Sequence, residues 1–140
     1  MARTVGIIVM IFGIIFVVAG AVTWFVVQDQ LAAENITVSD DAEYLAGESV
    51  DGPFSAYSQA QVINKHALEA TNGQTYAELG RDDPTRQTAM QASFLRASLF
   101  TSVVAFGVAV MAAVLGVMLV LIGMSLRSLA RAAHHATAAV

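Results

Sequence analysis

The chain has 140 residues, of which 56% are hydrophobic and 13% charged, and its mean hydropathy is +0.64. A soluble domain has about 25% charged residues, so this chain is too apolar for that class. It has no cysteines, which excludes disulfides, thiol nucleophiles and cysteine-ligated metal sites. No charged residue lies between Arg3 and Asp29 or between Arg96 and Arg127, and each gap exceeds the ~20 residues that cross a bilayer. The composition therefore predicts a membrane protein.

Two membrane-spanning helices are predicted, at residues 5–27 and 99–124. The first apolar run is longer than the ~7–15 residues of a signal-peptide core, so we expect an uncleaved anchor. Three arginines flank the spans in the terminal segments, and the positive-inside rule places both termini in the cytoplasm. The prediction is a multi-pass plasma-membrane protein with a cytoplasmic N-terminus (1–4), an extracytoplasmic acidic domain (28–98) and a cytoplasmic basic tail (125–140).

Small residues recur every seven positions in both predicted spans. They are Gly6, Gly13 and Gly20 in the first span and Ser102, Ala109, Gly116 and Gly123 in the second. A seven-residue period keeps these positions on one seam of a left-handed helix pair, where small side chains let two backbones approach closely. The pattern predicts a tight antiparallel hairpin, or a face that docks a larger partner. The alternative is that glycine and alanine are simply common in membrane helices.

The middle segment predicts a small, mostly helical domain. Residues 36–39 form a β-like run, and residues 55–71 show helical spacing that ends at Asn72-Gly73, a helix C-terminal signal. Asp83-Pro84 is typical of a helix start, and no breaker follows it until the second span has begun. The predicted fold is an all-α membrane protein: a two-helix transmembrane hairpin with a small extracytoplasmic loop domain. Because this loop has few large apolar residues, we expect it to order fully only against another protein.

The same segment carries eleven acidic and four basic residues, a net charge of −7. Its cluster of Asp40, Asp41 and Glu43 does not have EF-hand spacing, so a solvated acidic turn is favoured over a calcium site. The cluster is also a candidate electrostatic surface that steers a basic partner. His66 is the only histidine in this segment, which favours a surface residue over a metal ligand or a catalytic base. With no catalytic motif present, we expect neither an enzyme nor a small-molecule substrate, and acidic charge argues against nucleic acid.

Four stretches of the chain resemble a small actinobacterial membrane-protein family. They are MARTVGIIVMIFGIIFVVAGAVTWFVV, DDAEYLAGESVDGPF, INKHALEATNGQTYAEL and DDPTRQTAMQASFLRASLF. The family includes an accessory subunit of the cytochrome bcc–aa3 respiratory supercomplex, associated with its cytochrome c oxidase part. The resemblance implies a structural subunit whose hairpin packs on the oxidase periphery. It also implies that haem and copper belong to the partner subunits and that this chain binds no cofactor.

Two hypotheses about function follow from these observations. The first is a non-catalytic accessory subunit of a respiratory oxidase assembly, with integral membrane subunits and lipid as its partners. The second is an envelope-facing membrane anchor or assembly factor that binds an extracytoplasmic protein outside respiration. Neither predicted span contains an ionisable residue, which argues against a pump, channel or transporter acting alone.

Overall fold

The structure is a computed structural model that describes the backbone of residues 2–138 and the side chains of residues 3–132. It contains three helices: α1 (Ala2–Ala33), α2 (Pro53–Ala70) and α3 (Arg86–Ala138). No strand occurs among the described residues, so the predicted all-helical architecture is confirmed at that level. Met1 and residues 139–140, which belong to the predicted cytoplasmic ends, lie outside the described range.

Helices α1 and α3 are both long and apolar enough to cross a membrane. Only 17% of the residues in the apolar window of each helix are buried within the chain, whereas the core helix of a soluble protein is mostly buried. Large apolar side chains point outward instead, and Ile11, Phe12 and Val18 are 51–55% exposed. The two helices therefore contain the two predicted spans, and each extends beyond its predicted boundaries.

Helix α3 is continuous over 53 residues, so the predicted run of one helix into the second apolar stretch is present. It begins at Arg86 rather than at Pro84, because a turn precedes the helix. The Asp83 carboxylate holds this turn by accepting hydrogen bonds from the hydroxyl and the backbone N–H of Thr85. These two hydrogen bonds lower the pKa of Asp83, the hydroxyl contributing more than the N–H.

Helix α2 begins at Pro53, two residues before the predicted start at Ser55. Proline is favoured at the first helical position because that position needs no hydrogen-bond donor. The helix ends as the sequence predicts, since Asn72 (φ 53°) and Gly73 (φ 82°) both adopt the left-handed conformation. The Gly73 N–H then donates to the carbonyl of Leu68 at 2.7 Å, which satisfies a free carbonyl of the last turn.

The segment between α1 and α2 is held by backbone pairing and by one side chain of α2. Residues 36–39 make a single antiparallel bridge, between Thr37 and Ser49, so the β-like run does not become a strand. The Gln59 side chain reaches from α2 to this segment, where its carbonyl oxygen accepts the Ser39 N–H at 3.0 Å. A long-range hydrogen bond of this kind fixes the position of an otherwise irregular loop.

The chain divides into two compact units. The helix-pair unit comprises residues 1–25 and 107–140, and the loop unit comprises residues 26–106. The loop unit has an apolar core of its own in which Ala56 and Ala60 of α2 are fully buried. Other buried apolar residues of that unit are Leu31, Val38, Val50, Val62, Leu79, Ala89, Leu99 and Phe106.

Candidate functional site

Three glycines of α1 face three small residues of α3 in the helix-pair unit. Each step of seven residues forward in α1 is matched by a step of seven back in α3, as an antiparallel pair requires. The facing pairs are Gly6 with Gly123, Gly13 with Gly116, and Gly20 with Ala109. All six residues are buried. The structure thus brings together six of the seven small residues that the sequence assigned to a seam.

The two backbones approach so closely at these pairs that no side chain fits between them. A Cβ atom built on Gly13 would lie 2.6 Å from the Gly116 carbonyl oxygen, and one built on Gly116 would lie 2.5 Å from the Gly13 carbonyl oxygen. Non-bonded contacts between a Cβ atom and an atom of another residue are essentially never shorter than 3.0 Å in real proteins. Because the obstructing atoms belong to helical backbone, they cannot rotate away as a flexible side chain would. Glycine is therefore required at this pair.

The other two pairs repeat this geometry. A Cβ built on Gly6 would lie 2.8 Å from the Gly123 carbonyl oxygen, and a Cβ built on Gly20 would lie 2.5 Å from the Ala109 carbonyl oxygen. Carbonyl oxygens aimed at glycine Cα hydrogens favour Cα–H···O contacts, each worth about 0.5–1 kcal/mol. Such contacts and close packing are the forces that join helices where lipid removes the hydrophobic drive.

Ser102, the seventh small residue of the predicted seam, lies in the loop unit and not in a glycine contact. One further step in the same register pairs it with Val27, which is larger than the glycines of the other pairs. Ser102 is half-buried, and its hydroxyl donates to the Ser98 carbonyl at 3.3 Å. Both Ser102 and Val27 line a cavity of about 660 Å³ in the loop unit.

This cavity has mainly apolar walls with several polar groups among them. Its lining includes Leu31, Ile63 and Leu99, together with Gln59, which is only 9% exposed. The Gln59 carbonyl oxygen accepts hydrogen bonds from the backbone N–H and the hydroxyl of Ser39 in the preceding loop. The sequence carries no signal for this cavity, because residues from α1, α2 and α3 form it jointly and share no local pattern.

Within the predicted acidic cluster, Asp41 makes specific contacts with α2. Its Oδ2 atom accepts a hydrogen bond from Lys65 Nζ at 2.9 Å and lies 2.8 Å from His66 Nε2. The hydrogen bonds from Lys65 and His66 lower the pKa of Asp41 to about 2, and the same contact raises the pKa of Lys65. Asp40 and Glu43 are exposed and form no ion pair within the described part of the chain. Asp41 therefore connects its loop to α2, whereas Asp40 and Glu43 lie on the solvated surface.

The pH dependence of this connection follows from the lowered pKa of Asp41. The ordinary value is 3.8 and the folded value about 2, so the ion pair is fully formed above about pH 4 and is lost as the pH falls toward 2. We expect the protection factor of the Ala42 amide, whose N–H donates to the Ser39 carbonyl, to fall across that interval. The Asp41→Asn variant should show fast exchange already at neutral pH, whereas Asp40→Asn should behave like the parent chain. Equal protection in the parent and Asp41→Asn chains would contradict this role.

The glycine seam makes a second prediction, in which Gly107 provides a matched control. Gly107 also lies in α3, but nothing stands within 4 Å of a Cβ built there. Alanine favours helix over glycine by up to ~1 kcal/mol, so Gly107→Ala should be neutral or stabilising. Gly13→Ala and Gly116→Ala should instead destabilise the helix pair by about 1–3 kcal/mol, because the added methyl meets backbone. Thermal unfolding in mild detergent, followed by circular dichroism, measures the difference.

Gly13→Ala and Gly107→Ala chains that unfold at the same temperature would show that the seam is not tightly packed.

Several other polar side chains in the described range form short-range hydrogen bonds, as Glu78 does with Thr75. No group of three or more His, Asp or Glu residues that could hold a metal ion occurs in the described range. The Glu78 carboxylate accepts hydrogen bonds from the backbone N–H and the hydroxyl of Thr75, an arrangement that closes a turn.

No family model, no curated protein and no solved structure matches this chain. The packing of the chain, its surface chemistry and the sequence resemblance given above are therefore the basis for inferring its function.

Proposed function

We propose that this chain is a non-catalytic accessory subunit of an aerobic respiratory oxidase supercomplex, with its helix pair packed on the cytochrome c oxidase part. The observation that carries a structural membrane role is the outward-facing apolar surface of α1 and α3. In each helix the most apolar window is largely unburied within the chain. The four sequence stretches that resemble the actinobacterial family supply the oxidase as the specific partner. Haem and copper then belong to the partner subunits.

The composition of the outward surface supports a role in packing against other membrane components. The seam uses the small residues inside the helix pair, so the outward positions carry side chains such as Ile15, Phe16, Met111 and Leu121, each at least 40% exposed. Such a surface needs lipid or a partner helix to cover it, because a soluble monomer rarely exposes so large an apolar area.

The antiparallel register also supports the proposed topology. Gly6 faces Gly123, so Arg3 and Arg127 lie near the same end of the helix-pair unit. Arg131 follows one helical turn later in α3. Basic residues gathered at one end of two apolar helices are typical of the cytoplasmic side. The loop unit, which carries the acidic residues, then belongs on the extracytoplasmic side.

A second candidate function is an envelope-facing anchor or assembly factor that binds an extracytoplasmic protein outside respiration. It is favoured by the exposed aromatic side chains of the loop unit, where Phe54 is 79% and Tyr44 is 70% exposed. Aromatic residues are enriched at protein interfaces. The two candidates differ in which proteins accompany the chain.

Co-purification distinguishes these candidates. The tagged full chain is purified from its native membranes in mild detergent, and haem is measured by reduced-minus-oxidised difference spectra. We expect oxidase haem to accompany the chain and the Gly107→Ala control, and to be lost from a Gly13→Leu/Gly116→Leu double variant whose helix pair is forced apart. Mass spectrometry then identifies the partner subunits. A monodisperse chain without haem, or one accompanied by a non-respiratory envelope protein, would overturn the oxidase assignment.

Topology gives an independent prediction, because the chain lacks cysteines and each introduced thiol is a unique label. Ala46 and Ala132 are both exposed, so a cysteine at either position is sterically accessible. In intact cells a membrane-impermeant maleimide should label Ala46→Cys and spare Ala132→Cys. Permeabilised cells should label both variants. Labelling of Ala132→Cys alone in intact cells would reverse the proposed orientation.

A further inference from the structure

We propose that the end of the helix-pair unit that carries Arg127 and Arg131 binds the phosphate group of an anionic phospholipid. The inference rests on the proposed membrane insertion of α1 and α3. Its elements are a small cavity, a buried unpaired donor and a local excess of positive charge, which are independent of the oxidase assignment.

The cavity lies along one face of α3. Its volume is about 190 Å³, and Met124, Arg127, Ser128 and Arg131 line it. Residues separated by three, four and seven positions share a helix face, so the side chains of Arg127 and Arg131 border the same space. The Ser128 hydroxyl donates to the Ser125 carbonyl at 2.8 Å, so the arginines are the donors available to a ligand.

Arg127 is half-buried and incompletely paired. Its Cγ atom lies 3.0 Å from the position of a Cβ built on Gly6, so the missing side chain there makes room for the arginine stem. Its Nη1 atom contacts the sulfur of Met10 at 3.9 Å, and sulfur is only a weak acceptor. Its Nε atom is buried and has no hydrogen-bond partner among the described residues. A buried donor left unpaired is unfavourable, so this guanidinium would be stabilised by turning toward an acceptor oxygen in the adjacent cavity.

The chain provides no carboxylate for these arginines from its terminal segments. No acidic residue precedes Asp29 or follows Asp83. Neither Arg127 nor Arg131 forms an ion pair within the described residues. Arg3 adds a third positive charge near this end of the unit. An anion from outside the chain is therefore the natural counter-charge.

Phosphate is the anion that fits best, because the planar guanidinium fork matches its oxygens in a bidentate arrangement. The same phosphate chemistry is offered by a lipid headgroup and by the free ion. The position favours the lipid, since a basic cluster at the end of an apolar helix lies at headgroup depth. An adjacent acyl chain would also cover the exposed side chains of Met118 and Leu121.

Native mass spectrometry tests the site on the full chain in micelles that contain equal amounts of phosphatidylglycerol and phosphatidylcholine. We expect the parent chain to retain phosphatidylglycerol preferentially. Arg127→Gln and Arg131→Gln should each reduce that retention about tenfold, the effect of losing one charge-assisted contact. Arg127→Lys keeps the charge without the planar fork, so its retention of phosphatidylglycerol should lie between that of the parent chain and that of Arg127→Gln. Arg131 is exposed, so its variant keeps the test valid if Arg127→Gln fails to fold.

Arg81→Gln is the matched control, because it removes one positive charge from an exposed position in the loop unit. It should retain phosphatidylglycerol as the parent does. Equal retention of the two lipids, or equal loss in Arg81→Gln and Arg131→Gln, would overturn the site. Displacement of the lipid by millimolar inorganic phosphate would assign the site to the free ion and overturn the lipid.

The outcomes for this site and for the proposed function are separable. Selective phosphatidylglycerol binding by a chain that carries no oxidase haem would overturn the oxidase role alone. Co-purified haem with no lipid preference would overturn the lipid site alone.

Discussion

The close approach of two helix backbones at the glycine pairs is the constraint on which the helix-pair unit depends. Because carbonyl oxygens lie within 2.8 Å of where Cβ atoms would be, the two backbones can approach this closely only where both helices present small residues. A slip of one residue would turn large side chains into the seam. The seam therefore determines register, separation and outward faces together. It also makes room for the stem of Arg127 beside Gly6, which links helix packing to the charge at that end.

Much of this arrangement was predictable because its signals are periodic or local. The seven-residue spacing predicted six of the facing residues, and Asn72-Gly73 predicted the end of α2. Ser102 has the right spacing but not the right partner, since the register places Val27 opposite. Ser102 can be told apart from the other small residues only when the residue facing it on the other helix is known. The long-range contacts of Gln59 with Ser39 and of Lys65 with Asp41 likewise join residues more than a dozen positions apart, for which a single sequence carries no signal.

The core of the loop unit combines small and larger apolar residues. Because the large ones are few, the expectation that this segment orders fully only with a partner stays a prediction. In the structure, Ala56 and Ala60 of α2 are fully buried, and the same unit keeps a cavity of about 660 Å³ beside Gln59 and Ile63. The acidic cluster also divides into two roles. Asp41 serves an internal contact, and only Asp40 and Glu43 are left to act on a passing partner.

The seam joins residues that are synthesised far apart in time. Gly116 follows Gly13 by about a hundred positions, which at ~5–20 residues per second corresponds to roughly 5–20 seconds of translation. Under the proposed membrane insertion, α1 therefore resides in the bilayer as a lone helix until α3 emerges. Its three glycine positions, which form notches in the helix surface, are uncovered during that time. During this interval lipid chains or another protein's helix occupy those notches. Completion of the hairpin is then an exchange of one neighbour for another, and its rate depends on how readily the first occupant leaves.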